Sequence, residues 1–177
     1  MTQEIYIEDI AKILKNKLKL EKQLKIKIKN NGKLFTINGT AEEEYLASKV
    51  FEAIDLGFSA EKALLLKDEN KILHILSIKG ITKRHDIERV RGRVIGTQGK
   101  TLGNLSKLSN CHFSIKDNQV GIIGDAEKIT EAILAVTSII QGSKQGNVYA
   151  RLEKETKKKR EDPEYHQNIK NELSSKK

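Results

Sequence analysis

The chain repeats itself, and the repeat constrains the fold more than any other feature. Ile28-Lys-Asn-Asn-Gly-Lys-Leu-Phe-Thr-Ile-Asn-Gly39 and Ile115-Lys-Asp-Asn-Gln-Val-Gly-Ile-Ile-Gly124 each read as a strand end, a polar turn, a second strand and a glycine. Each glycine is followed by one residue and then Ala-Glu, at Ala41-Glu42 and Ala126-Glu127, and by an amphipathic helix that stops at Gly57 or Gly142. The offset is constant at 85 residues from Gly39/Gly124 through Ala47/Ala132 and Ile54/Ile139 to Gly57/Gly142. A register held over a whole helix, with both boundaries matching, marks two copies of one supersecondary unit.

Each unit reads strand, helical segment, strand, turn, strand, long helix. Two such βααββα units, each a three-stranded sheet under three helices, predict an α+β architecture. In the first, Glu4–Ile7 is the strand and Glu8–Leu18 is helical, with Ile10, Ile13, Leu14 and Leu18 on one face. Leu24–Ile28 alternates apolar residues with Lys, so its lysines share one exposed side. Ser59–Lys67 reads as a short helix capped by Ser59 and packed between the units. In the second unit, Lys71–Lys79 is a strand, and His85–Ile95 and Lys100–Leu108 are helices broken by Gly96–Gly99. Cys111–Lys116 and Gln119–Ile123 are strands, and Ala126–Gln141 is the last helix. Thr40 and Asp125 stand where N-caps belong. The expected division is residues 1–57 and 71–142 as the two units, 58–70 as a helical linker, and 143–177 as a basic C-terminal helix with a disordered tail after Glu161.

Charge is clustered. Of the formal +9, Lys79–Lys107 carries +6, Lys15–Lys29 another +6 and Arg151–Arg160 +4, so the remainder carries −7. Basic clusters on an otherwise acidic chain are the footprint of a polyanion partner. The single cysteine, Cys111, leaves no internal disulfide and fits a reducing compartment. The start is polar and acidic, unlike a secretory signal. The longest apolar stretch, Ala132–Ile140, is far short of the roughly 20 residues that span a bilayer. A cytoplasmic protein without membrane association is expected.

Gly-x-x-Gly occurs twice. Gly121-Ile-Ile-Gly124 lies on a strand with no base beside it and reads as structural. Gly96-Thr97-Gln98-Gly99 differs. Val94 and Ile95 precede it on a helix bearing Arg89, Arg91 and Arg93, and Lys100-Thr101 open a new helix with Leu102, Leu105 and Leu108 at spacing three. Two glycines let the backbone turn sharply and approach a sugar-phosphate chain, the free N–H groups of the second helix favour an anion, and Ile95 with the leucines would floor a groove for bases. A KH domain works this way, its loop clamping the backbone of about four nucleotides. The expected RNA-binding residues are Arg89, Arg91, Arg93, Val94, Ile95, Gly96, Thr97, Gln98, Gly99, Lys100, Thr101 and Leu105.

Catalytic readings fare worse. A P-loop needs Gly-x-x-x-x-Gly-Lys-Thr, and the residue five before Gly99 is Val94. The four histidines, His74, His85, His112 and His166, are scattered. Cys111 and His112 are neighbours on a strand and point to opposite faces. No enzyme, metal site or cofactor is expected. The alternative to RNA binding is a protein–protein adaptor in which both units are scaffolds and RNA contact is incidental.

Arg89-Val-Arg-Gly-Arg-Val-Ile-Gly-Thr-Gln-Gly-Lys-Thr101, Val120-Gly-Ile-Ile-Gly-Asp125, Gly146-Asn-Val-Tyr-Ala-Arg-Leu-Glu153 and Gly57-Phe-Ser-Ala-Glu-Lys-Ala-Leu64 carry a resemblance. They resemble the archaeal and eukaryotic KH-domain factor that partners the Nob endonuclease in small-subunit ribosome assembly, a relative of the Krr-type factors. The resemblance implies two tandem type I KH folds, the second binding the 3′ end region of small-subunit rRNA. It also implies two protein partners, the Nob endonuclease and the α subunit of translation initiation factor two. The chain departs from the family in having Thr97 and Gln98 where a loop Lys is frequent, and Leu102-Gly103 where Arg is frequent. The loop counterpart in the first unit, near Asp9–Leu20, has no glycine, which makes that unit a degenerate KH fold.

Overall fold

The computed structural model describes residues 2–161. In the first unit, β1 (Thr2–Tyr6) is followed by α1 (Ile10–Lys15), α2 (Lys17–Leu24), β2 (Lys27–Asn31), β3 (Leu34–Asn38) and α3 (Ala41–Asp55). A linker of α4 (Ala60–Ala63) and a 3-10 turn (Leu64–Lys67) leads to the second unit. There, β4 (Lys71–Ser77), α5 (Ile78–Ile81), α6 (Ile87–Ile95), α7 (Lys100–Ser109), β5 (His112–Lys116), β6 (Gln119–Asp125) and α8 (Ile129–Gln141) repeat the order, and α9 (Gln145–Glu161) is appended. Both sheets are antiparallel with the last strand in the middle, β1-β3-β2 and β4-β6-β5.

The offset of 85 extends into the core. Leu20/Leu105, Phe35/Val120, Ile37/Ile122, Ala47/Ala132, Val50/Ala135, Phe51/Val136 and Ile54/Ile139 are pairs at that spacing, and every member is buried. Each long helix thus lays the same stripe on the same face of its own sheet. Thr40 caps α3 in a capping box with Glu43, as the sequence suggests.

Other expectations fail locally. The helical stretch of the first unit is two helices, because Asn16 leaves helical geometry (φ −109, ψ 9) and its side-chain amide donates to the Lys12 carbonyl at 2.8 Å. The break turns the helix face: Leu20 and Leu24 are buried, whereas Leu14 and Leu18 are 43% and 82% exposed. Leu24 is still helical and Lys25 is its left-handed cap (φ 57), so the strand begins only at Lys27. Lys25, Lys27 and Lys29 nonetheless share the exposed side. Asp125 is not an N-cap. It pairs across the strands with Lys71 at 2.6 Å and with Lys128, and α8 starts three residues beyond Ala126, at Ile129. α5 escapes sequence patterning because it is a single turn, capped by Ser77. The tail expected to be disordered lies outside the described residues.

The units share a wall. Ile123 sits in the core of the first unit, and Leu73 and Ile75 pack against that core, so β6 is buried on both faces. Ala60, Ala63 and Leu66 of the linker also belong to that core. Ser114 donates to the Leu56 carbonyl (2.9 Å), and Lys116 bridges Glu8 and Asp55 at 2.8 and 3.2 Å. Burial alone would lower the Lys116 pKa, but its bonds to the two carboxylates leave it raised.

Candidate nucleic-acid interface

The site begins at Asp86, whose carboxylate accepts from the Arg89 N–H (3.1 Å) and starts α6. Val90 and Val94 face inward and are buried. The intervening residues put Arg89 in solvent and Arg91 and Arg93 half-buried on the surface. The helix ends at Gly96, with φ 74 and ψ 169, a conformation open to glycine. A Cβ on Gly96 would also collide with the Thr101 side chain and lie 2.7 Å from its backbone nitrogen. Gly99 is left-handed too, φ 74 and ψ 12, but a Cβ there would meet only open space.

Between them Thr97 and Gln98 are exposed, and Gln98 is itself left-handed (φ 52, ψ 31). A non-glycine residue in that region costs about 1–2 kcal/mol, so the loop presents its backbone outward against local preference. α7 then starts at Lys100 with no side chain capping its first N–H groups. Those donors and the exposed Lys100 make an electropositive end suited to an anion.

The predicted residues fall into two groups. Arg89, Arg91, Arg93, Ile95, Gly96, Thr97, Gln98, Gly99 and Lys100 come together at the surface. Val94, Thr101 and Leu105 are 0%, 3% and 0% exposed and form the support beneath it. Leu102 and Leu108 are part-exposed and packed against the core, which leaves Ile95 as the apolar group beside the loop. Two arginines are partly engaged: Arg93 donates to the Ser143 carbonyl at 2.8 Å, and Arg91 reaches the Asp117 carbonyl at 3.4 Å.

Sequence reasoning missed Gln145. Its amide nitrogen donates to the Arg93 carbonyl (3.0 Å) and to Thr101 Oγ1 (2.9 Å), tying the ends of both loop helices to the first turn of α9. Val148 and Leu152 bury α9 on this unit, and Thr156 donates to the Leu108 carbonyl at 3.3 Å. Only the folded geometry reveals Gln145, since a glutamine at a helix start carries no pattern. Arg84 was missed as well: its guanidinium and that of Arg93 both approach Gly142, at the C-terminal end of α8.

Cys111 and His112 form no dyad. Cys111 is buried against Gly124, and burial pushes its thiol up. His112 is held below its ordinary value by burial, then by Lys62 and Lys71. Among the described residues, no cluster of three His, Cys, Asp or Glu could hold a metal, and no helix is long and apolar enough to cross a membrane.

A three-stranded antiparallel sheet in this order, with Gly-x-x-Gly between its first two main helices, defines a type I KH domain. The sequence profile for the second KH domain of PNO1, described as "Eukaryotic type KH-domain (KH-domain type I)", matches residues 72–157. The structure of Dim2p from Pyrococcus horikoshii is 30% identical, with a TM-score of 0.79 over 87% of this chain and 99% of that one. The chain therefore belongs to the PNO1/Dim2 family of KH proteins. A second P. horikoshii structure, a complex of a/eIF2α, aDim2p and rRNA, matches at 28% identity and a TM-score of 0.81, over 89% of this chain and 95% of that one. A KH domain-containing protein of Methanocaldococcus jannaschii is 30% identical over 78% of this chain. The RNA-binding protein pno1 of Dictyostelium discoideum is 30% identical over 73%. The chain spans 64% and 58% of the length of those two relatives.

Proposed function

We propose that the protein binds single-stranded RNA through its second unit and acts on the 3′ end region of small-subunit rRNA during ribosome assembly. The carrying observation is the exposed Gly96–Gly99 loop, with two left-handed glycines, an uncapped helix start and basic flanks. Phosphates would sit against the loop backbone, Lys100 and Arg89, with Arg91 and Arg93 beside them and bases over Ile95. Val94, Thr101 and Leu105 hold that surface from below. Family members named pre-rRNA-processing proteins, and one relative captured with rRNA and a/eIF2α, support this reading. The reading extends to an initiation-factor α subunit as protein partner, supported by the relative captured with a/eIF2α, and, from the sequence resemblance alone, to the Nob endonuclease and a cytoplasmic compartment. The first unit, without a loop, serves as support and docking surface.

Replacing Thr97 and Gln98 with Asp puts two negative charges where phosphates should lie, and Asp accepts left-handed backbone more readily than Gln. Affinity for single-stranded rRNA should fall about 10- to 100-fold, or roughly 1.4–2.8 kcal/mol. Stability should move by less than about 0.5 kcal/mol, as for other exposed substitutions. Unchanged affinity would falsify the assignment. The protein should work by binding alone: with ATP or GTP and magnesium, turnover should not exceed buffer, and turnover abolished by Lys100→Ala would revive an enzyme.

A further inference from the structure

The seam between the two units is open on one side, along α3 and β4. Two depressions of about 480 and 510 Å³ follow each other there. Tyr45 and Lys49 of α3 line the first with Ile72 and Leu73 of β4, and Ser48, Glu52 and Asp55 line the second with Ile75. At spacings of three and four, these α3 residues share one side of the helix, so the depressions form one groove. Glu4 and Tyr6 of β1 close its far end. No residue of the Arg89–Leu105 region lines it.

The groove exposes apolar surface beside a free strand edge. Tyr45, Tyr6 and Ile72 are 66%, 61% and 40% exposed. β4 stands at the edge of its sheet and pairs with β6 alone, so its outer backbone groups have no strand partner. An edge of this kind takes up an extended segment of another chain, with backbone bonds along the strand and side chains in alternate slots.

Charge selects the occupant. Glu4, Glu52, Asp55, Asp68 and Glu69 line the groove against Lys49 and Lys71. Both lysines are engaged, Lys49 with Glu52 at 3.5 Å and Lys71 with Asp125 at 2.6 Å. The acidic surplus repels phosphate, and it would repel the same groove on a second copy. The rings point the same way: Lys33 Nζ lies 5.7 Å from the Tyr6 centroid and Lys49 Nζ 5.9 Å from that of Tyr45. Both rings accept a cation, and a planar guanidinium stacks on such a face better than an ammonium does.

We propose that this groove docks an extended, arginine-bearing segment of a partner protein. The segment runs along the edge of β4, its apolar side chains against Tyr45 and Ile72 and its arginines toward Glu4, Glu52 and Glu69. The molecule thus offers a basic surface to a polyanion and, on a separate side, an acidic groove to a polycation.

The test uses the full chain and a fluorescein-labelled peptide of about ten residues alternating Arg and Val, the pattern suited to a strand edge. A peptide alternating Arg and Gly carries the same charge without the anchors and should bind about tenfold more weakly. Tyr45→Ala and Glu69→Lys should each weaken the Arg-Val peptide about tenfold. Glu153→Lys, at an exposed acid outside the groove, should leave it unchanged, as Tyr45→Ala should leave affinity for single-stranded RNA. Tyr45, Glu69 and Glu153 are exposed, so circular dichroism should show every variant folded. Equal affinity for the two peptides overturns the proposal, as does binding indifferent to Tyr45→Ala. Glu153→Lys as damaging as Glu69→Lys reduces the effect to general charge attraction and also overturns it. So does a loss of RNA affinity in Tyr45→Ala, which would give the groove to RNA. Sedimentation showing self-association that Tyr45→Ala abolishes would give it to a second copy, with the same consequence.

Discussion

The two Gly-x-x-Gly segments share a pattern and have opposite reasons for it. Gly96 and Gly99 have positive φ and lie at the surface, where the chain must turn and leave its backbone open. Gly121 and Gly124 are buried in β6, neither has positive φ, and what they supply is room. A Cβ on Gly121 would lie 2.8 Å from the Phe58 ring, and one on Gly124 would strike the Cys111 sulfur. A glycine motif thus states a need for a missing Cβ, and only its surroundings tell conformation from space.

This contrast yields the largest expected effects on stability. Gly124→Ala forces the Cys111 side chain aside in a buried sheet, and Gly121→Ala pushes Phe58 out of the seam between the units. Each should cost about 1–3 kcal/mol in urea unfolding, the range for overpacking, and leave RNA affinity intact while the protein stays folded. Gly99→Ala has space and suffers only from its left-handed backbone, about 1 kcal/mol, yet should weaken RNA binding. A Gly99→Ala variant less stable than Gly124→Ala would break the comparison.

The contrast was legible in the sequence, as were most elements, because the repeat gave every element a second witness. Leu20/Leu105 and Phe35/Val120 extend a register first visible in the helices. Failures cluster where the two copies diverge. Ten residues, 7–16, separate β1 from α2, whereas twenty-two, 78–99, separate β4 from α7. Across that gap no register helps, and the turn of the helix at Asn16 had no counterpart to reveal it. Asp125 misled for another reason: it matches Thr40 in position, but a carboxylate with Lys71 across the strands has a better partner than a helix end. Val94, Thr101 and Leu105 belong to the loop region in sequence, yet spacing alone cannot say which side of a short helix faces in.

The support beneath the loop offers the next effect. Gln145 joins the Arg93 carbonyl to Thr101 Oγ1, and the strand motif has no such brace. Gln145→Ala should cost about 1 kcal/mol of stability, the net worth of hydrogen bonding of this kind, and should raise hydrogen exchange at the start of α7. Gln145→Glu places a negative charge near the loop and should reduce RNA affinity further than Gln145→Ala. Equal RNA affinity in the two variants would mean that phosphate stays away from this end of the loop.

The residues that follow the motifs complete the contrast. Lys100 is exposed, whereas Asp125 is paired with Lys71 and Lys128. The hydrogen bond from Lys71, helped by both lysine charges, holds the Asp125 carboxyl below its ordinary 3.8. A carboxyl with a depressed folded pKa adds stability that is present above its unfolded pKa and lost as pH falls through the folded one. Asp125→Asn should therefore cost roughly 0.5–1 kcal/mol at neutral pH, and the cost should shrink toward zero as pH drops past 3.8 into the folded titration. Lys71→Met should show a smaller pH-dependent difference from Lys71→Met/Asp125→Asn than the wild type shows from Asp125→Asn. Thermal unfolding of the four proteins across an acid series checks this. A cost for Asp125→Asn that is flat with pH would assign Asp125 to packing, as with its glycine neighbour, and leave the ion pair without weight.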